Sequence, residues 1–190
     1  MKQMLFRYYE QELSAWILFT PVVCSFCALP LLFENAEFAA YFILSISVPV
    51  LCAIYLDMRE SQLIMTSLFP ISRRTFFIMD LSFIGRYTLY YILYTIVATS
   101  IFQTLLKQQL VFPSVKQLLL SFAISFLVIA TFLLLRRVKF GKALNYSIFF
   151  MPLVFTQLLS FIDKLSPLHS VILFLGSLLL VILAAMLAYF

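Results

Sequence analysis

The chain alternates long uncharged apolar runs with short charged segments. Reading for stretches of about 18 or more residues without Asp, Glu, Lys or Arg gives six. They are Leu13–Phe33, Phe38–Leu56, Tyr87–Leu106, Gln117–Leu135, Ala143–Ile162 and Leu165–Phe190. A helix rises ~1.5 Å per residue and needs ~20 residues to cross a ~30 Å hydrocarbon core, which each run supplies. The pattern predicts an all-α, polytopic membrane protein, one domain over residues 1–190. Its six transmembrane helices fall at about 13–33, 38–56, 82–106, 117–135, 143–162 and 167–190. A membrane barrel would need short strands with alternating polarity, and that alternation is missing. Pro21, Pro30, Pro49, Pro152 and Pro167 predict kinks, tolerated where a neighbour satisfies the freed carbonyl. Glycine occurs three times against 22 Phe and 10 Tyr, so large side chains rather than GxxxG contacts are expected between helices.

Composition agrees with the pattern. Hydrophobic residues make up 64% and charged residues 11%, far from the ~45–50% and ~25% of soluble domains. Nothing outside the runs is long enough to enclose a separate soluble core. The net charge of +5 is distributed by side of the membrane, not gathered for nucleic acid. Lys2, Arg7, Arg59, Arg73, Arg74, Arg86, Arg136, Arg137, Lys139 and Lys142 fall on one side, and Lys107, Lys116 and Lys164 on the other. The positive-inside rule then puts both termini in the cytoplasm. The first apolar run follows Glu10 and Glu12 and ends without a small-x-small site, so no cleavable signal peptide is expected. Residues 1–16 interleave Met4, Leu5, Tyr8, Tyr9 and Trp16 with charges, the pattern of an interfacial helix or of a frayed end.

One segment is neither a span nor a tight loop. Between Asp57 and Asp80, the uncharged stretch Ser61–Ser72 is too short to cross, at ~18 Å of helix, and too apolar to sit in water. Pro70 steers Phe69 away from the helical region and Ser72 can cap a following helix. The expected shape is the second span, a separate short helix near Arg59–Ser67, a break at Phe69–Ile71, and a helix from Ser72 into the third span. Such a short apolar-faced helix outside the bilayer fits a groove on another protein.

The chemistry-bearing residues are few. Cys24 and Cys27 sit at i, i+3, without further metal ligands nearby. A single histidine, His169, and the lack of HExxH, of a Gly-x-Ser-x-Gly elbow and of paired carboxylates within a span argue against an enzyme. No acid or Lys interrupts the six runs, which argues against an ion-coupled carrier. Asp57, Asp80 and Arg86 form a set of gate-level charges, Arg86 either pairing with a carboxylate or snorkelling. Tyr87, Tyr91 and Tyr94 in the third span, and Asn145, Thr156, Gln157 and Ser160 in the fifth, recur at helical spacing. They line a candidate substrate route or make interhelical hydrogen bonds.

The stretch SLFPISRR, Ser67 to Arg74, precedes a membrane-entering helix with Gly85-Arg86-Tyr87. It resembles the cytoplasmic loop of type-2 ABC export permeases, whose small six-span members carry an S-L-P-I-S-R-[RK] signature. Phe69 is one residue more than that signature has. The resemblance implies a permease subunit without an ATPase of its own. ATP and Mg would be bound by a separate cytoplasmic ABC ATPase, two copies pairing with two permeases, identical or related, in the bacterial plasma membrane. It implies that Glu60, Leu63, Ile64, Leu68, Phe69, Pro70, Ile71, Arg73 and Arg74 couple the permease to that ATPase. Arg73 and Arg74 also suit a headgroup anchor, and Arg136–Lys142 suits either a second ATPase contact or plain positive-inside charge. The implied activity is export of an amphipathic substrate such as a peptide, antibiotic or lipid. The alternative is a non-transporting polytopic protein, such as an immunity or peptide-sequestering factor.

Overall fold

The computed structural model describes residues 15–66, 73–107, 113–137 and 166–189. The expected N-terminal interfacial helix, the expected break at Phe69–Ile71 and the expected fifth span lie outside the described residues. The described residues are all helical, with no strand among them: α1 (Ala15–Cys27), α2 (Leu29–Glu34), α3 (Ala36–Thr66), α4 (Arg73–Lys107), α5 (Val115–Arg137) and α6 (Pro167–Tyr189). Four are long and apolar enough to cross a membrane, over Ala36–Tyr55, Phe77–Leu106, Val115–Leu134 and Pro167–Leu187. These windows fall on the expected second, third, fourth and sixth spans.

The expected first span is interrupted at Ala28, between α1 and α2, as the kink expected of Pro30 implies, although Ala28 N–H still donates to Cys24 O and Leu32 N–H to Ala28 O at 3.0 Å. Pro30, two residues further on, has no N–H to give the carbonyl of Phe26, and its ring clashes there. A second break, one residue long, follows at Asn35, whose backbone is extended at φ −150°. Asn35 Oδ1 then accepts from the N–H groups of Glu37 and Phe38 at 3.1 and 3.2 Å, capping α3. The loop expected at Glu34–Glu37 is this single capping residue.

Pro21 sits inside α1 without breaking it. Its missing N–H leaves the Ile17 carbonyl, four residues back, without a partner in its own helix. The Tyr91 hydroxyl of α4 donates to that carbonyl at 2.7 Å. A neighbouring helix therefore makes up the lost bond, as a low-dielectric interior requires.

α3 is the centre of the bundle. It packs against α1, α2, α4 and α5, and 67% of its apolar window is buried, against 22% for α6. α3 and α4 form an antiparallel hairpin. Tyr55 near one end of α3 stacks on Phe83 near the start of α4 (5.1 Å, 22°), while Ala36 and Ala39 share a cluster with Phe102 at the far end. α3 and α5 run in the same direction, since Tyr41 of α3 packs with Leu120 and Ile124 of α5, each near its helix start.

α6 packs on α5. Phe174 sits between Phe122 and Phe126 at 6.4 and 6.0 Å, and Ala184 and Ala185 join the core cluster that holds Val128, Ile129, Phe132 and Leu133. Both contacts advance together along the two chains, so α5 and α6 are parallel. The buried seam of α6 steps through Ser170, Ser177 and Ala184, with half-buried Phe174 and Val181 between them. Small residues take part here as Ser and Ala, interleaved with the larger Phe174 and Val181. The outer face of α6 exposes Leu179, Ile182, Leu183 and Met186, as a lipid-facing surface would.

Removing the Tyr91 hydroxyl by Tyr91→Phe is expected to cost about 0.5–1.5 kcal/mol. In a Pro21→Ala background, where α1 regains its own N–H donor, the same change should cost clearly less; equal losses in a thermal-unfolding cycle in detergent would refute the assignment. Ser177→Leu, which overfills the α5–α6 seam, is expected to cost about 1–3 kcal/mol by the same assay, whereas Leu179→Ala on the outer face is expected to be near neutral.

Candidate functional site

The hairpin α3–α4 carries the chemistry. Its apolar windows stop at Tyr55 and start at Phe77, yet α3 continues three turns further to Thr66, roughly 16 Å, and α4 starts already at Arg73. The expectation of a separate short helix near Arg59–Ser67 is therefore corrected. Glu60, Leu63 and Ile64 belong to the unbroken end of α3. The physical reason lies in the sequence DMRESQLIMT, Asp57–Thr66, which contains no Gly or Pro to stop propagation. Arg73 and Arg74 open α4, as expected of a helix running from that point into the third span. Leu68, Phe69, Pro70 and Ile71 lie outside the described residues, as do Asn145, Thr156, Gln157 and Ser160.

At the base of the hairpin Asp80 is 3% exposed, and the Tyr55 hydroxyl donates to its Oδ1. Phe83 stacks on Tyr55, and Tyr87 lies against Phe83 at 4.5 Å, so aromatic rings close round the pair. A carboxylate this deeply buried must be met by donors, and the Tyr55 hydroxyl is one. The bond ties the two helices at one depth. Arg86, six residues on, lies on the exposed opposite face of α4, in a strip with Leu89, Leu93 and Val97. Asp57 lies in α3, two residues past Tyr55.

The apolar window of α4 starts before Asp80 and includes it. The expected third span, at about 82–106, began two residues after Asp80 and so left this acid out.

The three tyrosines of the third span have different surroundings. Tyr91 is buried and committed to Ile17, Tyr87 is half-buried on Phe83, and half-buried Tyr94 lies beside Tyr90 at 6.4 Å. The strongest polar stripe is another one, missed by the sequence reading. Asp80, Thr88, Tyr91, Thr95 and Thr99 are all buried, and at 100° per residue they fall within about 100° of arc. The signal for it was present in the threonine spacing 88, 95, 99.

Most hydroxyls in these helices turn back on their own backbone. Ser25 bonds Pro21 O, Ser45 bonds Phe42 O, Thr99 bonds Thr95 O, and Ser125 bonds Ser121 O, at 2.7–2.9 Å. Ser47, Thr88, Thr95 and Ser121 do not: each is buried, with no hydrogen-bond partner among the described residues. An unpaired buried hydroxyl costs about 1–3 kcal/mol, and every one had a backbone carbonyl one turn away.

Other groups are simpler. Cys24 is buried and Cys27 exposed, both as free thiols. Ser166 Oγ and His169 Nδ1 lie 2.6 Å apart at the exposed start of α6, where Pro167 occupies the first helical position. No group of three or more His, Cys, Asp or Glu able to hold a metal occurs among the described residues. Comparison with known proteins finds no match to this chain: no family model, no curated protein and no solved structure.

A double-mutant cycle on Tyr55→Phe and Asp80→Leu is expected to give a coupling of about 1.5–3 kcal/mol in thermal unfolding, the range for a hydrogen bond to a charged acceptor. Additive losses would mean that the two residues do not act as a pair.

Proposed function

We propose that the chain is the permease subunit of an ATP-driven exporter, driven from outside the bilayer through α3. The supporting observation is the unbroken course of α3, from the most buried position in the bundle to Thr66, beyond the apolar window. From Leu51 to Thr66 this helix contains no Gly or Pro and transmits displacement stiffly as far as Pro49, where one backbone bond is missing. Movement applied at Glu60, Leu63 and Ile64 tilts the part of α3 on which α1, α2, α4 and α5 all pack. The lever is thus the end of the second span itself, with Arg73 and Arg74 beside it at the start of α4.

The chain crosses the membrane six times, with both ends in the cytoplasm. Lys and Arg fall ten to three in favour of the side from which α3 projects. The parallel course of α5 and α6 supports a crossing by the run 143–162 between them, because the chain leaves one helix at the end opposite the one where it joins the other. Two permeases, identical or related, assemble with two copies of a cytoplasmic ABC ATPase that supplies ATP and Mg chemistry. Closure of the ATPase pair pushes the stalk and shifts α3 against α4. The substrate is amphipathic, a peptide, antibiotic or lipid, and leaves the cell through the plasma membrane.

An ATPase subunit is expected to co-purify with the tagged chain in mild detergent from its native host. Charge reversal by Arg73→Glu with Arg74→Glu should lower its recovery about tenfold, equivalent to about 1.4 kcal/mol of binding. Ser61→Pro, which breaks the stalk while sparing its far end, should keep the ATPase bound but abolish its response to the permease. If wild-type chain brings down no nucleotide-hydrolysing protein, the exporter reading falls and the immunity or peptide-sequestering reading takes its place.

A further inference from the structure

Four buried hydroxyls have no partner among the described residues, and two of them belong to the aligned stripe that begins at a buried acid. Asp80 stands at one end of the stripe on α4 and Thr99 at the other, nineteen residues or roughly 29 Å apart along the helix, about the thickness of a hydrocarbon core. Thr88 and Thr95 lie between them, each without a partner among the described residues. The hairpin contacts set the depth of the rest. Ser47 lies along α3 midway between the Tyr55–Phe83 and Ala39–Phe102 contacts, at the level between Tyr91 and Thr95. Ser121 follows Leu120, which packs with Tyr41, and so belongs at the level of Thr95 and Thr99. Partnerless hydroxyls thus occur on α3, α4 and α5, at successive depths above a buried carboxylate.

Water is the ligand such groups fit. Each hydroxyl offers one donor and two acceptor sites, and a buried water needs two to four polar partners. An apolar interior without water would have turned these side chains onto the carbonyl one turn back, as Thr99 and Ser125 are turned.

We propose that the inner face of α4 is a hydrated seam that carries protons to Asp80. The proton arrives along hydrogen-bonded water past Thr95 and Thr88 and adds to the Asp80 carboxylate, while Tyr55 keeps its own proton. A neutral carboxyl is a weaker acceptor than a carboxylate, so protonation loosens the bond that ties α3 to α4. Among the described residues, the titratable groups in the surrounding cluster are Tyr55 and Cys52 on α3, with Tyr87 and Tyr91 on α4. α1 adds Ile17, with Thr20 hydrogen-bonded to Tyr91 and the Cys24 thiol near it, α5 adds Val128, Ile129, Ala130, Phe132 and Leu133, and the Arg86 guanidinium is on the exposed side of α4. The seam does not depend on the exporter reading, and neither readout below uses an ATPase.

The test uses the full chain in nanodiscs, with Cys24, Cys27 and Cys52 replaced by Ala. Thr88→Cys and Thr95→Cys are exposed to a charged methanethiosulfonate, which reacts only with a hydrated thiolate. Leu93→Cys, at an outward-facing position 55% exposed, is the lipid-side control. Both seam positions should react at least about tenfold faster than the control. Where a threonine variant fails to fold, Ser47→Cys and Ser121→Cys give the same reading from α3 and α5. In the second arm, infrared difference spectra between alkaline and acid buffer should show a protonated-carboxyl band that Asp80→Asn removes and Tyr55→Phe shifts. Seam thiols no faster than the control, or no band lost in Asp80→Asn, would overturn the proposal.

Discussion

A carboxylate inside an apolar helix needs a donor from somewhere, and in this bundle the Tyr55 hydroxyl meets Asp80. That requirement fixes more than one side chain. Tyr55 lies at the end of the apolar window of α3 and Asp80 near the start of the window of α4, so their bond sets the two helices at one depth and register. α3 then presents its remaining faces to α1, α2 and α5, and α6 is added to α5 from outside. A slip of one turn between α3 and α4 would leave Asp80 against hydrocarbon, a loss far larger than any single apolar contact it might improve.

The same rule, that polar groups away from water must find partners, explains the irregular part of the bundle. Pro21 removes a donor, and Tyr91 replaces it from another helix at Ile17 O. Asn35 caps the start of α3 where the chain turns between two helices with one residue to spare. The tyrosines that look like a ligand-lining series in sequence are partly this repair work. A substrate surface would need such hydroxyls unoccupied, and the Tyr91 hydroxyl is occupied.

Much of the architecture was legible because hydrocarbon thickness and helix rise leave few choices: the windows of α3, α4, α5 and α6 fall where uncharged runs had placed them. The errors have a common cause. Counting runs treats every charge as the end of a span, so Asp80 was left out of the third, although a partner 25 residues earlier in the chain makes it tolerable inside. It also treats Asp57, Arg59 and Glu60 as the end of the second, although charges do not stop a helix and only Gly or Pro would have. The stripe Thr88, Thr95, Thr99 was obscured by Tyr87 and Tyr94 on a neighbouring arc of α4, since periodicity identifies a face but not which side of it meets another helix. Residues 67–72 and 138–165, on which much of the family resemblance and the fifth span rest, lie outside the described residues.

The stalk and the seam are physically coupled whatever drives the protein. The stalk is the far end of α3, and the last described point at which α3 is tied to α4 by a polar bond is Tyr55–Asp80. A push on Thr66 acts on that bond before it reaches the packed centre of the bundle, and a proton on Asp80 weakens it from the other side. Both inputs bias one element, which is what a coupling free energy between two sites requires, and linkage makes the effect reciprocal. If displacement of the stalk opens the pair, it must change how readily Asp80 takes a proton; if protonation opens the pair, it must lower the work needed to move the stalk. The apolar stacking of Phe83 and Tyr87 around the bond sharpens the choice, because rings that close on a satisfied pair close poorly on a parted one. The proposed switch is therefore small, a hydroxyl and a carboxylate, and the long helices would bring distant events to it.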